Sequence, residues 1–505
     1  MVVLRSVGPA GGAISSLDWD GQRLLVNGRY IVTISPPPAA VHLGAEGQKG
    51  WMTARSGLAR WYGESGWGYA RLALIGGRAS QVTIQDTVLT SRPGTDLSVT
   101  PSVIEADLPD AQFAASLHAQ AAHLLMGLVD RGTRPGDPMG SSHERLREAA
   151  YVVVALARAG HLSVAKELAA HLAVNDVLGD AQPEAEAPGL ALWALEEVAT
   201  RLRDPAYDQW AWPHVRRKAE LIVAAATRLS HQSAKDTLFV TAVSYRGLLH
   251  AAALAERVNQ PADAQRWRVA TAQLQRAWLD AFQQQRSQNE LTSISGLWPS
   301  WVAAPEAGRF LRGLEARWTT FHDAEGNFSF DGVPYTPVQT SLEVGEAHQW
   351  LLLGRLDRVW ATLGWLWQHQ SSPGLYTWWE GKEVAFEQVG QFQRSWENVR
   401  GWVDRPQVTP NYWTAAEMLL LQLEMLAYVD ESGSEPSLVI GAGIPAAWLT
   451  QPMRVRGIST RLGTVDWRWQ DGRMGVELHG RPCRVRLGPT FDSGTPLHVN
   501  VRELR

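Results

Sequence analysis

The segment from Gly374 to Glu417 holds the residues best suited to chemistry. It opens GLYTWWEGKEVAFEQ and continues RSWENVRGWVDRPQVTPNYWTAAE. One carboxylate, Glu380, directly follows Trp378 and Trp379, and Trp396, Trp402, Tyr412 and Trp413 come close behind. Aromatic rings around an acid suit a sugar: the apolar face of a pyranose stacks on indole, and its hydroxyls take polar partners. A carboxyl group shielded by aromatics also has a tunable pKa, as general acid or base catalysis requires. The alternative is that these tryptophans are core and Glu380 is solvated. So many rings among Gly, Pro and Asn in one connecting segment favour a binding site. Glu397, between Trp396 and Asn398, is a second candidate base. Glu417 falls on the helix that follows, where a structural role is expected.

The elements around this segment set its frame. Residues 1 to about 108 read as β-rich: LDWDGQRLLVNGRYIVTI has short alternating runs broken by Asp-Gly and Asn-Gly turn signals. Near Asp110 the pattern becomes helical, with apolar residues at i, i+3 and i+4. Helices are expected over 143–159, 162–175, 188–202, 212–229, 239–258, 261–285, about 305–321, a pair broken at Gly354, and 412–429. A further one falls in 384–398. Short polar connections alternate with long ones that hold Gly, Pro and Trp. Antiparallel hairpins of this kind close into a two-layer ring, with inner helices buried all round and outer helices amphipathic. An open solenoid is the alternative, although no sequence repeat of 20–50 residues supports one. After the polar joint at Glu431, short β runs return. This tail is expected to be a small antiparallel unit, packed on the helices or continuous with the N-terminal strands.

Composition narrows the function classes. The 505 residues are 45% hydrophobic and 19% charged, with a net charge of −4 and no basic stripe, which argues against a nucleic-acid partner. Cys483 is the single cysteine, so neither an intrachain disulfide nor a cysteine-based metal cluster is possible. The 14 histidines show no spacing typical of a metal site, and no metal or cofactor is expected. The N-terminus lacks the apolar stretch of a signal peptide, and no run of about 20 apolar residues suggests a membrane span. A cytoplasmic location is therefore expected. Tryptophan is the compositional extreme, at 24 residues against 10 Phe and 10 Tyr.

The order of these segments resembles the six-hairpin glycosidases, which include glucoamylase-like hydrolases, alpha-L-rhamnosidases and related sugar phosphorylases. The likeness covers roughly residues 110 to 500. HERLREAAYVVVALARAG is similar to an early Arg-Asp segment, with Arg147-Glu148 in its place. EAEAPGLALWALEEV and DPAYDQWAWPHVRRKAELI resemble later helices. FVTAVSYRGLLHAAALAERV resembles a helix with an AVxxRxL pattern, which falls on Ala242, Val243, Arg246 and Leu248. WEGKE is similar to the late catalytic-base loop, and TPNYWTAAEMLLLQ to the helix after it.

The resemblance implies an (α/α)6 toroid with small antiparallel β regions at both ends: an N-terminal β-rich region (1–108), the barrel (109–432) and a β unit (433–505). It implies a glycoside hydrolase that cleaves a small glycoside or oligosaccharide with inversion, Glu380 being the base that activates water. The chain departs from the pattern at the acid: Ser230-His231-Gln232 stands where glucoamylases carry Trp-Glu-Glu. Asp236 is the acid candidate, and an N-cap of the helix at 239 is its alternative role. Glu184 and Glu186 either reach the sugar or are solvated loop carboxylates. Trp298 is either a platform under the sugar or a wedge between hairpins. Arg147 and Glu148 either bind hydroxyls or form an inner-ring ion pair. Trp378, Trp379, Trp396, Glu397, Trp402 and Trp413 complete the candidate carbohydrate site. A sugar phosphorylase, or a carbohydrate-binding protein without catalysis, is the rival reading.

Overall fold

A computed structural model describes residues 2–5, 14–45, 55–64, 68–74, 81–87, 104–129, 132–133, 146–176, 184–229, 234–284, 290–322, 340–370, 374–378, 411–433 and 435–503, with backbone alone at 2–5, 45, 55–56, 129, 132–133, 226–229, 234–237 and 290. The chain forms two compact units. One comprises Met1–Thr100, Asp137–Ser142 and Glu383–Val408; the other comprises Pro101–Gly136, His143–Lys382 and Thr409–Arg505.

The first unit holds nine described strands, β1 (Val2–Arg5), β2 (Ser16–Trp19), β3 (Arg23–Val26), β4 (Tyr30–Ser35), β5 (Ala40–Ala45), β6 (Arg55–Ser56), β7 (Arg60–Tyr62), β8 (Gly68–Ala73) and β9 (Gln81–Asp86). They form two antiparallel sheets, ordered β1-β8-β5-β6 and β7-β2-β3-β4-β9. Leu17, Leu24, Val32, Leu43 and Leu72 from both sheets share one core. Asn27 and Gly28, at φ 54° and 66°, make the tight turn from β3 to β4 that the Asn-Gly signal predicts.

In the second unit the described helices are α1 (Ala111–Met126), α2 (Leu146–Arg158), α3 (Leu162–Val174), α4 (Ala187–Leu202), α5 (Pro205–Leu229), α6 (Ala234–Arg257), α7 (Pro261–Gln284), α8 (Glu290–Ser293), α9 (Ala307–Phe321), α10 (Thr340–Leu352), α11 (Leu356–Gln368) and α12 (Tyr412–Leu426). The even-numbered helices are inner: nearly every residue of α2, α10 and α12 is buried. The outer helices bury one stripe each, as in α7 (Ala264, Trp267, Thr271, Leu274, Trp278, Phe282) and α9 (Phe310, Leu314, Trp318). Each inner helix packs on the next, and α12 packs back on α2, so the ring closes. The open solenoid is thereby overturned: α12 covers the face of α2 that a solenoid would leave open.

Three boundaries depart from expectation. Helix α5 begins at Pro205 rather than 212, because Pro205 occupies the favoured first position and Asp204 caps the Ala206 N–H at 2.9 Å. Helix α6 begins at Ala234 rather than 239. Helix α12 ends at Leu426, and Ala427–Asp430 form a strand instead. In α6, Leu238–Arg257 is long and apolar enough to cross a membrane, yet 83% of that stretch is buried inside the protein. An inner helix covered on all sides has the same composition as a span.

The C-terminal strands are β13 (Ala427–Asp430), β14 (Ser437–Ile440), β15 (Met453–Ser459), β16 (Gly463–Gln470), β17 (Arg473–Gly480), β18 (Arg484–Leu487) and β19 (Leu497–Arg502). With β10 (Glu105–Asp107) they make sheets ordered β10-β15-β16-β17-β19 and β13-β14-β18, while β11 (Leu128–Val129) and β12 (Gly132–Thr133) pair with each other after α1. The β14–β18 and β17–β19 pairings are parallel and the others antiparallel. Their buried residues join the core of the ring.

Helices α4 and α6 meet at two glycines. A Cβ on Gly189 would lie 2.5 Å from the Val243 carbonyl oxygen, and one on Gly247 would lie 2.8 Å from the Gly189 Cα. Both obstacles are backbone, which cannot swing aside. Gly189→Ala and Gly247→Ala are each expected to destabilise the ring by about 1–3 kcal/mol or more, read from denaturant unfolding.

Candidate active site

Polar residues within inner helices recur at matched intervals. Arg147 and Arg158 on α2 are eleven residues apart, as are Glu186, which precedes α4, and Glu197 within it, and Trp413 and Glu424 on α12. Eleven residues are close to three turns, roughly 16 Å of rise. Each helix therefore presents one such residue near its N-terminal end and one near its C-terminal end on a single face.

The N-terminal ends meet around Arg147. Its guanidinium is salt-bridged to Glu186 and lies 5.0 Å from the Phe239 ring centre and 5.6 Å from that of Trp413. Its Nε is buried without a partner. Below it, Tyr151 packs edge-on to Trp193 at 5.1 Å and against Trp413 at 5.7 Å. Trp193 packs edge-on to Trp298 at 5.6 Å.

Trp298 closes the middle of the ring. It follows α8, a single turn, so the sixth inner position is completed by irregular chain with backbone groups to satisfy. Gln349 on α10 does this: its Oε1 accepts from the Leu297 and Trp298 N–H groups at 2.9 and 3.0 Å, and its Nε2 donates to the Trp298 carbonyl at 2.9 Å. Held in this way, the indole stacks on His348 with ring centres 4.2 Å apart and receives the Arg158 guanidinium at 4.7 Å.

The C-terminal ends hold a buried ion network. His348 lies between two carboxylates, with Nδ1 3.2 Å from Glu417 Oε1 and Nε2 2.9 Å from Glu424 Oε2. Arg158 donates from Nε and Nη2 to Glu197, both at 3.1 Å, and from Nη1 to Glu424. Arg201 also donates to Glu197, at 2.7 Å. Glu431 takes Arg246 and Arg461. Burial pulls the His348 imidazole down, but Glu424 and Glu417 outweigh it and hold it above its ordinary value. Burial pushes Glu417 up despite His348. Glu424 sits below the usual carboxylate range, because His348 and Arg158 overcome burial.

The sequence-derived candidates divide. Arg147, Glu186 and Trp413 come together at the N-terminal ends; Glu148 and Glu184 are half-buried. Arg147 is salt-bridged to Glu186, a partner the sequence reading did not give it. Trp298 is the wedge, 3% exposed, rather than a platform a sugar could reach. Trp378 is core as well: it is 1% exposed, and its indole N–H donates to the Leu366 carbonyl at 2.7 Å, near the end of α11. This removes it from the binding set, because neither indole face is open. Asp236 is the third residue of α6, so it does not precede the helix as a cap would; its side chain lies outside the described residues, as do Trp379, Glu380, Trp396, Glu397, Trp402 and the helix expected in 384–398. The axial set of Arg158, Glu197, His348 and Glu424 escaped sequence reasoning. Its signal was charged residues recurring inside helices otherwise apolar all round. Among the described residues no three His, Cys, Asp or Glu side chains are grouped to hold a metal ion.

No family model matches this sequence, and no curated protein does. Solved structures do. A GH78 family rhamnosidase of Bacillus sp. GL1 is similar at a TM-score of 0.53 and 10% identity, over 94% of this chain and 54% of that one. An alpha-L-rhamnosidase from Dictyoglumus thermophilum is similar at 0.52 and 10%, over 96% and 58%. The likeness is one of fold, a ring of paired helices. The chain spans just over half the length of those two enzymes.

In this six-hairpin ring, connection length marks one end. Of those entering inner helices, 127–145, 175–186, 322–339 and 369–411 are long and 230–233 and 285–289 are short; of those leaving, 159–161, 203–204, 258–260 and 353–355 hold two or three residues, and 294–306 after α8 is long. Four of the five long connections therefore attach at the end that carries Arg147, Glu186, Phe239 and Trp413. The opposite end has a cleft of about 910 Å³, lined by Glu196, Asp208, Arg257, Arg461 and other residues, none aromatic. It offers no ring for a sugar face.

The ion network makes stability pH-dependent. Burial alone would raise Glu431, but Arg246 and Arg461 bring it down to about 2. A depressed carboxylate stabilises above its unfolded value and loses that contribution as pH falls toward its folded one. Glu431→Gln is expected to cost roughly 3 kcal/mol at neutral pH. The gap to wild type should close between about pH 4.5 and 2, measured by urea unfolding across pH.

Proposed function

We propose that this chain is a glycoside hydrolase that cleaves a small glycoside or oligosaccharide at the N-terminal end of the inner helices. The observation that carries the reading is the joint placement of four of the five long connections and the Arg147, Glu186, Phe239 and Trp413 cluster at one end of a six-hairpin ring. The solved structures of similar fold are rhamnosidases, which supports a carbohydrate substrate.

In the proposed mechanism Glu380, in the segment entering α12, is the base. It takes a proton from a water that attacks the anomeric carbon. Asp236, in the first turn of α6, is the acid and protonates the departing glycosidic oxygen. Inversion follows if the two carboxyl groups stand about 6.5–9.5 Å apart, with room for the water. Arg147, held by Glu186 and with 24% of its side chain exposed, would offer its guanidinium to a sugar hydroxyl.

The test is turnover of a panel of aryl glycosides and disaccharides by wild type, Glu380→Gln and Asp236→Asn. Each substitution should lower kcat by about 10²–10⁴ while the fold is kept. Product NMR should show the opposite anomer released first. Unchanged turnover in Glu380→Gln would remove that residue from the mechanism, and no turnover of any glycoside by wild type would remove the hydrolase reading.

A further inference from the structure

The C-terminal ends of the inner helices enclose a second, much smaller cavity. It has room of about 30 Å³ and is lined by Arg158, Arg201, Arg246, Arg461, Trp298, Glu424 and Glu431, among others. A space of that size takes one or two water-sized species and no carbohydrate.

Its charge does not balance. Four guanidiniums line it (Arg158, Arg201, Arg246 and Arg461). The carboxylates bound to them are Glu197, Glu424 and Glu431, so four positive charges meet three negative ones, a surplus of one. Glu196 and Asp208 nearby share the single Arg257, at 2.7 and 2.8 Å, so the surplus is local to the cavity: counted with that group, five positive charges meet five negative ones. Nor are the donors all used. Arg201 gives its Nη1 to Glu197 and its Nη2 to the Ser459 carbonyl, and Arg246 gives its Nη1 to Glu431. The Nε–H of each has no acceptor. Both side chains are at least 95% buried, at 2% and 5% exposure. A charged donor left unpaired out of water is costly, and two lining one cavity call for an acceptor inside it.

We propose that this cavity is a binding site for a halide-sized monovalent anion, held by the Nε–H groups of Arg201 and Arg246 among the four guanidiniums. Two further features fit. Burial and the neighbouring Arg158 and Arg461 outweigh Glu197 and push Arg201 down to about 10, the direction expected where positive charge is under-compensated. His250, one turn beyond Arg246 on α6, has both ring nitrogens buried without partners; burial and then Arg246 and Arg461 hold it well below its ordinary value. Arg246 and Arg461 thus act on His250 in the direction that burial already sets. The ligand class follows from size and charge. A monatomic anion accepts from diverging donors without needing donors of its own. A water could accept from both Nε–H groups but would answer none of the local charge.

The test uses the full chain. Crystals soaked in bromide should show an anomalous peak within hydrogen-bonding distance of Arg201 and Arg246. Thermal unfolding in sodium chloride or bromide, against sodium gluconate at equal ionic strength, should show a saturable halide-specific rise in Tm of roughly 2 °C or more. That rise should vanish in Arg201→Met. If the variant does not fold, the bromide map of the wild type decides alone. Water in the cavity with no bromide peak would overturn the proposal. So would a halide-specific rise that persists in a folded Arg201→Met.

Discussion

The ring depends on how charge is buried along its axis. Inner helices covered on every side can carry ionised groups only where those groups meet one another, and the centre is where they meet. Arg158, Glu197, His348, Glu417 and Glu424 come from four different inner helices, and Trp298 lies between two of them as a flat spacer. Removing one partner of such a pair costs about 3–5 kcal/mol, because the other is left charged in a dry site. The network therefore constrains the inner helices to one mutual register. With matched residues three turns away on the same helices, that register also fixes where Arg147, Glu186 and Trp413 stand.

The short α8 shows the same constraint from the backbone side. A full helix would satisfy its own N–H and carbonyl groups. The irregular chain after Ser293 cannot, and Gln349 supplies three of the missing hydrogen bonds to Leu297 and Trp298. The axis below Trp413 is thus packed with aromatic and ionic side chains. Among Arg147, Glu186, Phe239 and Trp413 at this end of the ring, Arg147 is the most exposed, at 24% of its side chain.

Much of the ring was legible in the sequence. Periodicity found α2, α3, α4 and α7 within a few residues, because an amphipathic stripe or an all-apolar run is a local property. Breaks at Gly160 and Gly354 were equally local: both adopt positive φ, at 90° and 72°, which favours glycine. The start of α5 was misplaced because two prolines, Pro205 and Pro213, compete for the role of first helical residue, and only the backbone decides between them. The site was less legible. Arg147 and Glu186 are far apart in sequence and meet only because α2 and α4 are neighbours in the ring. The Arg158–Glu424 and His348–Glu424 pairs are equally non-local, and no spacing along one segment reveals them.

Tryptophan abundance was the weakest of the sequence signals, and the reason is physical. Indole is large enough to wedge between hairpins and has one donor to satisfy there. Trp378 gives that donor to the Leu366 carbonyl, which in the last turn of α11 also accepts from the His369 N–H at 3.1 Å. Trp278, Trp360 and Trp469 likewise donate to backbone carbonyls of Leu238, Gly443 and Leu449. An indole thus serves as core filler and as backbone cap at once, both of which a ring of many hairpins needs repeatedly. Its count says little about an exposed stacking surface. The weight of the sugar-acting reading passes from the number of rings to place: Trp413 and Phe239, 8% and 1% exposed, are themselves buried, and they back a partly exposed Arg147 at the end bearing most of the long connections rather than offer an open face.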